Sequence, residues 1–454
     1  MKTITKFTFC IFLALIESQC VGVDDWPQWR GAERDGTWNE SGVVDKLPAE
    51  AKFKWKVPIG NGYTGPTVAD GMVYVMDRMT DPEQTERILC FEGASGKQVW
   101  KHEYPCQYRI GFTAGPRASV TIDGKERAYA FGAMGQLTCL DAKKGKVLWE
   151  KDLNEEYSIE SRSKKDNRMP IWGMACSPLI YKDKVILQIG AAGAGVVAFD
   201  KLTGEEAWRA TDHRGQYSSP ILTKQGNQDV VICWTGDAVV GIDPEKGTVH
   251  WTIDWKPRNM PIGCASPVLK DNHLFMTSFY DGSMLVKLDR DSSKAENLWH
   301  RVGENERDTD ALHSIISTPI WIKDHIYGVD SYGEFRCLEA KTGDRVWLDS
   351  TAVPRARWST IYFVQNDDLI WMFNERGELM TAKLSPSSSN GFEELSRTKI
   401  LEPTKRQLNQ RGGVCWSHPA FAMKSVFARN DKELVCVDLS ETHSDAKSET
   451  PPTK

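Results

Sequence analysis

One short pattern recurs along the chain and limits what it can fold into. It reads Asp141-Ala142-Lys143-Lys144-Gly145-Lys146-Val147-Leu148-Trp149, with a glycine followed four residues later by tryptophan. The same spacing returns at Gly96 and Trp100, Gly204 and Trp208, Gly247 and Trp251, and Gly343 and Trp347. A degenerate copy, Asp291-Ser292-Ser293-Lys294, leads to Trp299 without the glycine. Ahead of each turn lies a short apolar run such as Leu137-Thr138-Cys139-Leu140 or Val239-Val240-Gly241-Ile242. Glycine supplies the positive φ that a tight turn needs, and polar neighbours keep the turn wet. Strand, turn and Trp-bearing strand together predict a hairpin whose indole packs on a neighbouring unit.

The copies can be counted. Six units open on Gly65-Pro66, Gly115-Pro116, Ser177-Pro178, Ser219-Pro220, Ser266-Pro267 and Thr318-Pro319, and they end at Trp100, Trp149, Trp208, Trp251, Trp299 and Trp347. A seventh, from Ser359-Thr360, lacks the proline, and Phe392 is read at its tryptophan position. An eighth opens at His418-Pro419 and stops near Ser440 without a final strand. The missing strand has a counterpart in the lone strand around Trp55 near the N-terminus. Pairing the two would close a ring and remove both free edges. The expectation is therefore an all-β, eight-bladed β-propeller of four-stranded antiparallel blades over residues 53–440. An open solenoid would need polar capping units, and none is visible.

Composition narrows the class. The 454 residues include 17 Trp and 36 Gly, and the formal charge of -5 is spread without long runs. That leaves no basic footprint for nucleic acid. Residues 1–22 read as a signal peptide, with Lys2 and Lys6 ahead of an apolar run, so an exported, periplasmic or extracellular protein is expected. Membrane association would require lipidation of Cys20. Residues 23–52 form a Trp-rich arm expected to pack on the body, and residues 441–454 a polar tail expected to be disordered. A monomer is expected. Cys90, Cys139, Cys337 and Cys436 share one repeat position, which points to buried thiols rather than disulfides.

The Asp-Ala-x-x-Gly-Lys-x-x-Trp signature with Ser-Pro or Gly-Pro openings resembles the tryptophan-docking repeat of pyrroloquinoline-quinone-type (quinoprotein-like) β-propellers. The resemblance spans nearly all of residues 53–440. It implies that Trp55, Trp100, Trp149, Trp208, Trp251, Trp299 and Trp347 dock blade on blade. The family includes quinoprotein alcohol and glucose dehydrogenases. It also includes non-enzymatic propellers, among them the scaffold lipoprotein of the outer-membrane barrel-assembly machinery. The adjacent-cysteine pair common in the dehydrogenases is absent here, and no calcium ligand set or catalytic base can be placed. The expected member is non-catalytic and cofactor-free, binding a protein partner or an acidic or glycan ligand. The alternatives are an oxidoreductase using pyrroloquinoline quinone (PQQ) with calcium, and a polysaccharide binder.

Function is then sought in the loops that lead into each innermost strand. They carry Tyr63, Phe112, Arg117, Trp172, Tyr217, His313, Arg357, Trp358 and Trp416, the candidate binding residues. Other basic residues lie nearby: Arg109, Arg162, Arg168, His213, Arg214, Arg258, Arg355 and Arg411. Only Asp308 and Asp310 are noted as acidic neighbours. Two readings stand side by side. One is a ring of aromatic and cationic groups that grips a ligand; the other is a set of aromatics that simply plugs the channel.

Overall fold

The computed structural model describes residues 25–161, 167–387, 391–404 and 412–441. The signal segment with Cys20, together with Arg162, Arg411 and nearly all of the tail, lies outside them. Eight four-stranded antiparallel sheets follow one another as the blades of a propeller. Seven blades use consecutive strands, over residues 67–105, 121–152, 179–210, 221–254, 268–301, 320–349 and 361–399. The eighth borrows Phe53–Pro58 as its outermost strand, which pairs antiparallel with Glu433–Asp438. Ring closure by the N-terminal strand is as expected. Among the described residues the fold departs from pure β only at Leu153–Glu156, one helical turn capped by the Asp152 carboxylate.

The glycine and the tryptophan of one copy do not meet each other. Five of the tryptophans instead lie against the glycine turn of the next blade. Gly96 sits against Trp55, Gly145 against Trp100, Gly204 against Trp149, Gly247 against Trp208 and Gly343 against Trp299. The indole N–H then donates to a carbonyl of that turn, for example Trp100 to Ala142 at 2.8 Å and Trp208 to Pro244 at 2.9 Å. Opposite the tryptophan on the adjoining strand stands a small or apolar residue: Cys90, Cys139, Ala198, Gly241, Leu285, Cys337 or Cys436. A β-bulge follows at once and turns one residue outward. This accounts for the exposure of Val99, Leu148 and Leu298. The nine described cysteines are free thiols, all but Cys264 fully buried.

Where the turn glycine is missing, the joint is rebuilt. Trp251 donates to Oε1 of Gln225 at 2.7 Å, and the Gln225 amide donates onward to the carbonyls of Asp289 and Lys294. In the seventh blade the register places Ser396, not Phe392, at the tryptophan position, because the bulge falls between Thr381 and Ala382. Phe392 lies four residues earlier and packs edge-on against Phe335. The arm takes over the docking there: Leu47 N–H donates to Ser396 Oγ, and Thr398 Oγ donates to the Pro48 carbonyl.

The arm does more than pack on the body. It crosses one face of the ring, bonding to Val68, Ile122, Gln365 and Leu439 on four blades. Its turn enters the central channel. Trp29 Nε1–H donates to Ser266 Oγ at 2.8 Å. The buried Arg34 guanidinium donates to the carbonyls of Ser177, Pro178 and Pro220, tying two further blades to the arm.

Candidate functional site: an aromatic channel mouth

The approach loops converge at the end of the channel opposite the arm. Phe112, Trp172, Tyr217, Trp358 and Trp416 form one apolar cluster there. Trp172 stacks on Tyr217 with ring centroids 5.0 Å apart. Phe112 meets Trp172 edge-on at 5.5 Å, and Trp358 reaches both from the far side of the ring, at 5.7 and 5.5 Å. Neither Phe112 nor Trp358 relaxes into an ordinary backbone conformation, since their φ angles are +54° and +68°. Bulky residues at positive φ are held there only by their surroundings.

Beneath this plug lies a cavity of about 130 Å³. Seven of the nine candidate residues line it: Tyr63, Phe112, Arg117, Trp172, Tyr217, Trp358 and Trp416. His313 does not. It is buried behind Phe279, with Nδ1–H donating to the Phe279 carbonyl and Nε2 accepting from Gly303 N–H. Arg357 does not line it either. Its guanidinium is drawn to Glu306 at 2.7 Å and lies over the rings of Phe279 and Trp358, so it braces the plug from outside.

Nine lining residues were not among the candidates read from sequence, three of them the aliphatic Ala175, Ile315 and Ile316. Trp29 of the arm forms part of the floor, with Ser177, Ser219, Cys264, Tyr362 and His418 around it. The Ser-Pro openings explain the serines. The Ser219 hydroxyl accepts from Ser177 N–H, and the Ser177 hydroxyl from Ser119 N–H, which laces adjacent innermost strands together. His418 stands where other units place serine. Its Nδ1–H faces the Pro419 carbonyl at 2.6 Å, and burial, reinforced by Arg30, pulls its pKa down to about 3, so it is neutral.

The basic residues of the approach loops have partners of their own. Arg109 pairs with Glu160, Arg168 with Asp212, Arg214 with Asp237, and Arg355 with Glu334. Arg258 donates to the Gly303 carbonyl, and His213 faces Thr235 Oγ1. Asp310, one of the two acidic neighbours, is paired with Arg301. The rim is thus close to neutral. Arg117 differs: among the described residues it donates only to the carbonyls of Gly111, Phe112 and Gly115 while lying over the Tyr63 ring.

Fold and site together define a PQQ-type β-propeller whose channel is filled by its own side chains. The family profile described as outer membrane protein assembly factor BamB matches residues 84–349, and the chain belongs to that family. Curated relatives come from both branches of the resemblance. Quinohemoprotein alcohol dehydrogenase ADH IIB of Pseudomonas putida is 28% identical over 186 residues, covering 38% of this chain and 23% of the relative. Outer membrane protein assembly factor BamB of Yersinia pestis is 21% identical over 262 residues, covering 55% and 62%. The chain therefore spans less than two thirds of these relatives' lengths. Among solved structures, BamB from Moraxella catarrhalis superposes with a TM-score of 0.57 at 14% identity, covering 86% of this chain and 99% of that one. Quinohemoprotein alcohol dehydrogenase from Comamonas testosteroni superposes with 0.64 at 13%, covering 95% and 82%. At these identities the structural likeness speaks for the fold alone.

PQQ is a three-ring tricarboxylate, and the cavity does not fit it. Ligand pockets for such molecules run from about 300 Å³ upward, against about 130 Å³ here. One lining cation, Arg117, would face three carboxylates. Calcium needs six or more oxygen ligands, mostly carboxylates and carbonyls, and among the described residues no acidic side chain lines the cavity.

Proposed function

We propose that this protein is an exported propeller that engages a protein partner at its aromatic mouth and does no redox chemistry. One observation carries the reading: the channel is occupied from both ends by the chain itself, by Trp29 and Arg34 on the arm side and by Phe112, Trp172 and Trp358 at the mouth. What remains to meet another molecule is the rim. It offers Ile171, 54% exposed beside Trp172, among neutralised Arg–carboxylate pairs. Such a surface of exposed apolar and aromatic side chains framed by ion pairs suits a protein loop. The BamB relatives, named as outer membrane protein assembly factors, and the signal-like segment support an envelope location.

The test compares Ile171→Asp and Trp172→Ala with a control on the outer bulge, Leu298→Asp. A photo-crosslinker beside position 171 should form one defined adduct in the envelope, lost with Trp172→Ala and kept with the control. Equal labelling at the mouth and at the bulge would sink the reading. The dehydrogenase relatives keep a second reading open, a PQQ-dependent oxidoreductase. Adding PQQ and calcium to purified protein decides it: stoichiometric retention with dye-linked alcohol oxidation would replace the scaffold. A polysaccharide ligand at the mouth is the third reading, and an empty glycan array would remove it.

A further inference from the structure

The arm shows what the innermost strands can hold. Each innermost strand pairs with its own blade on one side and leaves its channel edge open. On three blades the arm fills that edge with backbone hydrogen bonds. Trp26 N–H donates to the Val68 carbonyl at 2.8 Å, and its carbonyl accepts from Val68 N–H at 2.9 Å. The Pro27 carbonyl accepts from Ile122 N–H. Gln365 donates to the Gly36 carbonyl and accepts from Trp38 N–H. The neighbouring side chains are covered too: Val68, Ile122 and Phe421 are buried, with Phe421 packed on Trp26 and Trp38.

The other half of the ring presents the same edge without an occupant. Ile180, Leu222, Leu269 and Trp321 stand in the third to sixth blades where Val68 stands in the first. Val68 faces Val73, one pair away from the pair that closes its hairpin. Ile180 faces Val185, Leu269 faces Leu274 and Trp321 faces Ile326, again one pair away. Leu222 faces Val231, three pairs away. All five are therefore wide pairs of the antiparallel ladder, whose N–H and C=O groups turn toward the open edge. Among the described residues no other segment bonds to the backbones of these four. Leu222 is 42% exposed, and Ile180, Leu269 and Trp321 are half-buried.

Charge does not choose the occupant. The turns beyond these strands set Lys182 beside Asp183, Lys270 beside Asp271 and Lys323 beside Asp324, and Lys224 reaches Asp229 at 4.0 Å. Opposite signs side by side exert no net pull on a nucleic acid or an anionic bilayer. Aliphatic and indole surface along an open backbone edge suits another polypeptide in extended form.

We propose that the third to sixth blades bind an extended segment of a partner protein, rich in aromatic or branched aliphatic side chains, which adds a strand to these edges as the arm does to its own. The site continues the arm's interface, because Arg34 already reaches the Ser177, Pro178 and Pro220 carbonyls of the third and fourth blades. It lies at the channel end opposite the aromatic mouth, so its failure leaves the proposed function standing.

The probe is a fluorescein-labelled synthetic peptide with the arm's own sequence, Asp25 to Trp38, titrated into the full-length protein and followed by anisotropy. One saturable site is expected. Leu222→Asp places a charge at an exposed position and should weaken the peptide at least about tenfold. Trp321→Ala should weaken it about fivefold, and Leu298→Asp on the outer bulge should leave it unchanged. Methylating the peptide's backbone nitrogen at Trp26 removes one ladder donor and should cost about fivefold, a loss that side-chain adhesion alone does not produce. Absence of a saturable site would overturn the assignment. Full affinity in both Leu222→Asp and Trp321→Ala would mean that the peptide exchanges with the resident arm, which overturns it as well. Full affinity of the methylated peptide would refute strand addition.

Discussion

Trp55 and Gly96 belong to different blades and meet at the joint that closes the ring. A Cβ on Gly96 would lie 2.7 Å from Cδ2 of Trp55, and the indole N–H donates to the Gly93 carbonyl at 2.7 Å. The first prediction compares Gly96→Ala with Gly124→Ala. Both glycines have positive φ, +71° and +58°, but nothing lies within 4 Å of a Cβ at Gly124. Gly124→Ala should cost only the backbone penalty, about 1 kcal/mol. Gly96→Ala should cost about 3 kcal/mol, because the overpacked indole must also move. Denaturant midpoints measure both, and equal losses would mean that the indole contact contributes nothing.

Closure makes a coarser prediction. Deleting residues 24–58 removes the eighth blade's fourth strand, Trp55 and the whole arm. The truncated chain should lose its cooperative unfolding transition. A milder probe is Arg34→Met, which keeps the bulk but strands the Ser177 and Pro220 carbonyls; a loss of about 3 kcal/mol is expected. Unchanged melting of the truncated chain would refute ring closure.

These joints show what a sequence can and cannot reveal. The eight blades were legible because the Gly-to-Trp spacing repeats, and Trp55 because one unit lacked the strand another position had to spare. The arm's path into the channel was not legible: Trp29 and Arg34 follow no period, and their partners lie on blades far along the chain. The aromatic mouth was read from its loops, and most of it lines one cavity. The acids that pair with its arginines were not legible, because some of them, such as Asp237 and Glu334, sit in hairpins rather than in the loops that carry the arginines. Phe392 was misplaced because a bulge shifts the register, which side-chain identity does not announce.

The joint without a glycine gives a third prediction. Gln225 alone links Trp251 to the degenerate turn, accepting from the indole and donating to Asp289 and Lys294. Gln225→Ala leaves a buried indole N–H and carbonyls unmet, so a loss of about 2 kcal/mol is expected. Gln225→Glu keeps the acceptor for Trp251 but loses the donor to the turn and should fall in between. If alanine is as stable as wild type, the glutamine does not replace the turn contact.

The fourth prediction concerns acid. Burial holds the pKa of His418 at about 3 and of His313 at about 4, below the ordinary 6.5. Both folded values lie below the unfolded one, so the unfolded chain binds more protons in between. The stability they support is complete above pH 6.5 and falls with pH toward 4, by about 1.4 kcal/mol per unit for each histidine. Asp330 acts with the opposite sign. Burial raises its pKa to about 6 despite Arg336, so protonation relieves a strain of the folded state as pH falls from 6 toward 4. Two histidines outweigh one aspartate, and these groups together should remove of order 4 kcal/mol between pH 6.5 and 4. His418→Asn should flatten the stability profile by about one proton over that window, measured as the slope of unfolding free energy against pH. An unchanged slope would mean that His418 is already protonated in the folded protein, against its burial beside the Arg30 guanidinium and its packing on Trp26 and Trp29.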